Sequence, residues 1–158
     1  MNLLDIVVKK AINTDLAASS REEALQELLG LLVASGTVAS EHQDEFYKAI
    51  IKREKRGSTG FGHGVAVPHI KHEAIGQMAV AIGVSKDGLE FNALDGQPVH
   101  TIFLLLSPED SPNEHLEAME SIFGNLSQET FRRFMLQADA PKDVLVLLGE
   151  ADSSQLDA

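Results

Sequence analysis

The chemistry-bearing residues of this chain crowd into one stretch. Gly57, Gly60, Gly62 and Gly64, the hydroxyls of Ser58 and Thr59, and His63, His69 and His72 all lie within it. Glycine lets the backbone turn several N–H groups towards one centre, so the stretch reads as a loop able to cradle an anion. Pro68 fixes its own φ and biases Val67 towards extended geometry, which sets the imidazole of His69 on a stiff base. Just upstream, Lys52, Arg53, Lys55 and Arg56 are opposed only by Glu54. Such a cluster either complements the dipole at a helix C-terminus or makes an electropositive pole that attracts small anions.

Three chemistries fit histidine beside such a loop. A metal site is disfavoured, because the run before His69 reads as a strand and no His-Glu-x-x-His pairing occurs in the chain. Nucleotide binding fails on spacing: there is no Gly-Lys-Ser/Thr triplet, and Gly60, Gly62 and Gly64 do not end in Gly-x-x-Gly. Neither a metal nor a cofactor is therefore expected. Phosphoryl transfer through histidine asks for a neutral imidazole nucleophile, positioning and positive potential. His69 can supply the nucleophile, the loop amides with Ser58 and Thr59 can bond phosphate oxygens, and an arginine of the cluster can clamp them. His115 falls in the first turn of a helix expected to open at Ser111-Pro112-Asn113-Glu114. The dipole there disfavours an imidazolium, so His115 reads as a neutral hydrogen-bond donor.

These groups need a scaffold. A chain of 158 residues is the size of one ordinary domain. We read 1–150 as a single domain and the polar, acidic 151–158 as a tail that frays. The net charge of −11 argues against nucleic acid as a partner. No apolar run is long enough to span a membrane, and the N-terminal pattern is wrong for a secretory signal, so no membrane insertion and a cytoplasmic location are expected. There is no cysteine, which removes disulfides and thiol chemistry.

Helical periodicity is clear after Ser20, where a Ser20/Glu23 capping box leads into Leu25, Leu28, Leu29 and Leu32 before Gly36. Ser40 is expected to cap a second helix that ends in the basic cluster. Leu3 to Asp15 reads as a helical turn followed by an extended piece near Leu16. Strands are expected over Val65–Val67, Met78–Val84 and Val99–Leu106, the last central and apolar on both faces, with turns at Asp87-Gly88 and Asp95-Gly96. Three further helices follow: one bearing Leu116, Met119, Ile122, Phe123 and Leu126, one packing Phe131, Phe134, Met135 and Leu136, and one over Pro141–Leu148. The order calls for a three-layer α/β/α sandwich with a mixed central sheet of about five strands.

The run Arg53-Glu54-Lys55-x-Gly57-Ser58-Thr59-Gly60-x-Gly62-x-Gly64-Val65-Ala66-Val67-Pro68-His69, the segment Leu94-Asp95-Gly96-Gln97-Pro98-Val99 and the triplet Glu114-His115-Leu116 together resemble the fructose/mannitol-type (type 2) IIA component of the bacterial phosphoenolpyruvate:sugar phosphotransferase system, including its nitrogen-regulatory branch. The resemblance covers about residues 3 to 150. It implies that His69 is the phosphoacceptor, Arg53 the phosphate-stabilising arginine and His115 the second active-site histidine. It implies a phosphoryl donor that is an HPr-like phosphocarrier, and an acceptor cysteine in a IIB domain or, in the regulatory branch, protein targets selected by phosphorylation state. With no cysteine of its own, the chain is expected to meet IIB on a separate chain. Ile70 departs from the small residue members carry after the histidine, and His72 reads as a peripheral residue beside the site, with direct function as the lesser alternative.

Overall fold

In the computed structural model, which describes residues 1–153, strand alternation explains most of the architecture. The chain runs α1 (Leu3–Ile6), β1 (Val7–Asn13), α2 (Arg21–Ala34), α3 (Gln43–Arg56), β2 (Gly60–Gly62), β3 (Val65–Ala66), β4 (His69–His72), β5 (Ala79–Leu89), β6 (Val99–Pro108), α4 (Pro112–Leu126), α5 (Glu129–Gln137) and α6 (Pro141–Asp152). On β6, Ile102, Leu104 and Leu106 enter one core, while Phe103 and Leu105 enter the other. On β5, Ala79 and Ala81 alternate in the same way with Val80, Ile82 and Val84. Successive side chains of a strand point to opposite faces, so a strand apolar at every position must be covered on both. The first core is completed by Leu25, Leu28, Leu29 and Leu32 of α2 with Phe46 and Ile50 of α3. The second draws on α1, α4, α5 and α6 through residues such as Leu3, Ile122, Phe131 and Leu148. The result is the three-layer α/β/α sandwich.

The sheet is mixed and has six strands, in the order β1-β5-β6-β3-β2, with β4 also pairing β6. β5 and β6 are antiparallel, whereas β1 runs parallel to β5 and both β3 and β4 run parallel to β6. β3 and β4 therefore lie end to end along one edge of β6, Ala66 opposite Ile102 and His69 opposite Leu105. Val67 and Pro68 make the break between them, and the Pro68 carbonyl still accepts from Leu105 N–H. This break delivers His69 to the C-terminal end of the sheet, beside the start of α4.

Several local expectations are corrected. The extended piece near Leu16 lies earlier, as β1, and Leu16 follows it with its N–H bonded to Val84. Ser20 accepts from Glu23 N–H as expected, but the Glu23 carboxylate reaches back to Ser19 rather than Ser20. Ser40 does not cap α3; it opens a short 3-10 turn, Ser40–His42, from which α3 continues. Asp87-Gly88 is no hairpin: β5 runs through it, and the irregularity appears as a register shift between Val84 and Leu89. The Ser111 side chain does not cap α4: its hydroxyl turns to Asp110, and Pro112 at the first helical position starts the helix. On α5, Phe131 and Met135 are buried but Phe134 and Leu136 are exposed. The last helix extends past Leu148 to Asp152, whose carboxylate accepts from the N–H groups of Leu3 and Leu4 at 2.7 and 2.9 Å. Those bonds tie the end of α6 into the fold, Ser153 caps it, and 154–158 of the expected tail lie outside the described residues. Among the described residues no helix is long and apolar enough to cross a membrane.

Candidate functional site

Three elements converge on a cleft of about 520 Å³. The last turns of α3 bring Ala49, Lys52, Arg53 and Arg56, β4 brings His69, Ile70 and Lys71, and the first turn of α4 brings His115. Four cations and two imidazoles line it, and among the described residues no carboxylate does. The basic cluster thus sits at a helix C-terminus, where it complements the dipole, and all of it but Lys55 also lines the cleft. On a chain of net charge −11, this is a local positive field that favours a small polyanion.

His69 is half-buried, and its Nδ1 lies 2.8 Å from the carbonyl oxygen of Val67, two residues back across the Pro68 break. A carbonyl can only accept, so Nδ1 carries the hydrogen and Nε2 keeps its lone pair. Burial holds the His69 pKa below the ordinary histidine value; the hydrogen bond to Val67 opposes that, while the charges of Arg53 and Lys71 reinforce it. The Val67-Pro68 pair therefore fixes the tautomer and aim of the ring as well as its stiffness.

His115 is buried, and its ring centroid is 5.6 Å from that of His69, with the planes at 51°. Its Nδ1 is 2.7 Å from the hydroxyl of Ser107, which is wholly buried near the end of β6. Burial, followed by electrostatic interaction with His69 and with the charge of Lys71, pushes the His115 pKa down to about 4. The imidazole is neutral, as the sequence suggests, but burial rather than the helix dipole is the leading cause. Arg53 donates from Nη1 to the carbonyl of Gly57 at 2.8 Å, an (i, i+4) bond that folds the guanidinium over the end of its own helix.

The glycine-rich loop has a different place from the one expected. None of Gly57, Ser58, Thr59, Gly60, Gly62 or Gly64 lines the cleft. Ser58 donates its hydroxyl to the Phe91 carbonyl and accepts from Gly60 N–H. Thr59 donates both its hydroxyl and its N–H to the carboxylate of Glu54. Glu54 is only 2 % exposed, and burial raises its pKa despite the bonds from Thr59. Gly60 and Gly62 form β2, and His63 with Gly64, at φ 60° and 76°, make the tight turn into β3. The hydroxyls are thus spent inside the fold, and the loop acts on the site by supporting Arg53 through Gly57 and anchoring α3 through Glu54.

His72 is three residues from His69 on a strand, and so projects to the opposite face. Its Nδ1 accepts from Ala74 N–H at 2.9 Å, its Nε2 lies 3.2 Å from Glu45, and its ring packs on Phe46 at 4.9 Å between centroids. Ile70 shares that face, is 7 % exposed and belongs to the core beneath α2 and α3. Its branched side chain fills that core. Sequence reasoning missed Ser107, Lys71 and the Val67 carbonyl. Lys71 was within reach, since alternation from His69 puts both on one face; Ser107 depends on pairing across the sheet.

Comparison with known proteins adds an independent line. Residues 5–151 match the family model described as "Phosphoenolpyruvate-dependent sugar phosphotransferase system, EIIA 2". A fructose-specific EIIA component of Haloferax volcanii is 31 % identical over 132 residues, 84 % of this chain and 84 % of that protein. A fructose-specific EIIABC component of Bacillus subtilis is 30 % identical over 96 % of this chain, which spans only 24 % of that longer relative. Among solved structures, the nitrogen regulatory protein IIA-Ntr of Neisseria meningitidis superposes with a TM-score of 0.83 at 31 % identity, covering 91 % of this chain and 97 % of that one. A complex of Escherichia coli mannitol enzyme IIA with phosphorylated enzyme IIB shares the fold, with a TM-score of 0.73 at 23 % identity over 89 % of this chain and 94 % of that one.

Proposed function

This chain belongs to the EIIA 2 family of the phosphoenolpyruvate-dependent sugar phosphotransferase system, and from that premise we propose that it is a phosphohistidine carrier whose acceptor atom is Nε2 of His69. The observation that carries the reading is the His69 ring itself, with Nδ1–H tied to the Val67 carbonyl and the remaining nitrogen at a cleft lined by cations. The donor is a phosphohistidine of an HPr-like carrier. The Nε2 lone pair of His69 attacks phosphorus, the P–N bond to the donor breaks as the new P–N bond forms, and the electron pair of the old bond returns to the donor imidazole. No proton moves in that exchange. The transition state is loose and its charge lies on the phosphoryl oxygens, so catalysis is positioning plus positive potential. Arg53 supplies a planar pair of donors, Lys52, Arg56 and Lys71 supply field, and His115 supplies one neutral contact.

Onward transfer goes to a cysteine outside these 158 residues, which contain none. A thiolate of a IIB domain attacks phosphorus, the P–N bond breaks, and His69 regains its lone pair. A second reading rests on the fit to the Neisseria nitrogen regulatory protein: the same phosphorylation selects protein targets and passes nothing to a sugar. Both readings treat 1–150 as one working unit in the cytoplasm. Incubation with phosphoenolpyruvate, enzyme I and HPr should add one acid-labile phosphoryl group, absent from His69→Ala. A label that persists in that variant overturns the acceptor. Addition of IIB then separates the readings, since loss of label to a IIB cysteine supports transport and retention supports regulation.

A further inference from the structure

The hydroxyl of Ser107 reaches His115 from inside the fold, at the end of β6. It sits two residues after Leu105, the register partner of His69, and is 0 % exposed. Among the described residues its oxygen has a single hydrogen-bond partner, His115 Nδ1 at 2.7 Å. Either group could donate. If Nδ1–H donated, the serine hydrogen would be left without an acceptor in a fully buried site, and an unmade buried donor is costly. If serine donates, its hydrogen is satisfied and Nδ1 serves as the acceptor. The imidazole hydrogen then lies on Nε2, the nitrogen turned away from Ser107.

We propose that Ser107 is a positioning residue: its hydroxyl donates to Nδ1 of His115, locks that ring as the Nε2–H tautomer, and so gives the cleft an N–H donor opposite the lone pair of His69. The inference rests on the phosphoryl-transfer reading of His69. The two rings, 5.6 Å apart, then carry complementary faces, a lone pair that attacks and an N–H that bonds a phosphoryl oxygen. With the other tautomer, His115 would turn a second lone pair towards an anion and repel it. The hydrogen states of both rings are thus set from the backbone side, by the Val67 carbonyl for His69 and by the Ser107 hydroxyl for His115.

The test is two-dimensional long-range 1H–15N correlation of the histidine rings in the unphosphorylated protein, together with phosphorylation rates from phosphorylated HPr. Wild-type His115 should show a protonated Nε2 and a lone-pair Nδ1. Ser107→Ala should give a mixture of tautomers and slow phosphorylation by roughly two- to tenfold, the range for losing one neutral hydrogen bond. Ser107→Thr, which keeps the hydroxyl, should restore both. A wild-type His115 with its hydrogen on Nδ1 overturns the proposal, and this readout stands even if Ser107→Ala does not fold. Unchanged tautomer and rate in a folded Ser107→Ala overturn it as well. A wild-type protein that takes no phosphoryl group removes the carrier function instead, while the ring spectrum still decides the tautomer.

Discussion

Replacing His115 by asparagine should remove most of the acid sensitivity that this buried ring gives the fold. Native His115 titrates at about 4, whereas an unfolded histidine titrates near about 6.5. Between those values the unfolded chain binds a proton that the native protein does not, so native stability falls as pH drops from about 6.5 towards 4. The full separation corresponds to on the order of 3 kcal/mol, of which about 2 kcal/mol is already lost at about pH 5. Asparagine keeps an acceptor oxygen where Nδ1 meets Ser107 and has no proton to take up. Urea unfolding followed by circular dichroism, at fixed salt between about pH 7 and pH 5, measures both proteins. Carboxylates and the other histidines titrate in each and largely cancel. The wild type should lose about 2 kcal/mol more than His115→Asn over that interval. A wild-type-to-variant difference that stays flat would mean that His115 accepts a proton in the native state without cost, and would refute the account of its burial.

Arg53→Lys should slow phosphorylation from HPr by roughly ten- to a hundredfold, because a point charge cannot keep both the Gly57 carbonyl and a phosphoryl oxygen in one planar fork; unchanged transient kinetics would return Arg53 to a helix-end role. Thr59→Val removes the hydroxyl that Glu54 holds inside the fold and should cost about 1–3 kcal/mol in urea unfolding. A variant as stable as wild type would show that the buried carboxylate is satisfied without Thr59.

Local signals carried the layered fold, and long-range pairing decided the rest. The Leu25-Leu28-Leu29-Leu32 spacing and the unbroken Ile102–Leu106 run are local, so the helix and the central strand were readable. β2 was not: Gly60-Phe61-Gly62 has poor strand propensity and is extended because Ala66 and Val65 pair with it. β4 likewise exists because β6 offers it an edge. At the site, Arg53, His69 and His115 were marked by residue type and neighbourhood, and the fold brings all three to one cleft. In the unphosphorylated fold the hydroxyls of Ser58 and Thr59 have partners, the Phe91 carbonyl and buried Glu54, whose claim on them is invisible in a glycine pattern. A carboxylate inside a basic cluster reads as a surface charge until its burial is known.

β6 is hydrogen-bonded along both edges, to β5 on one side and to β3 and β4 on the other. Amides held in this way exchange with solvent only when the whole fold opens, whereas terminal helices can open at lower free energy. His69 hangs from this strand through the β4 register and His115 through Ser107. Partial openings that release α1 or α6 therefore leave in place the strand to which both imidazoles are tied.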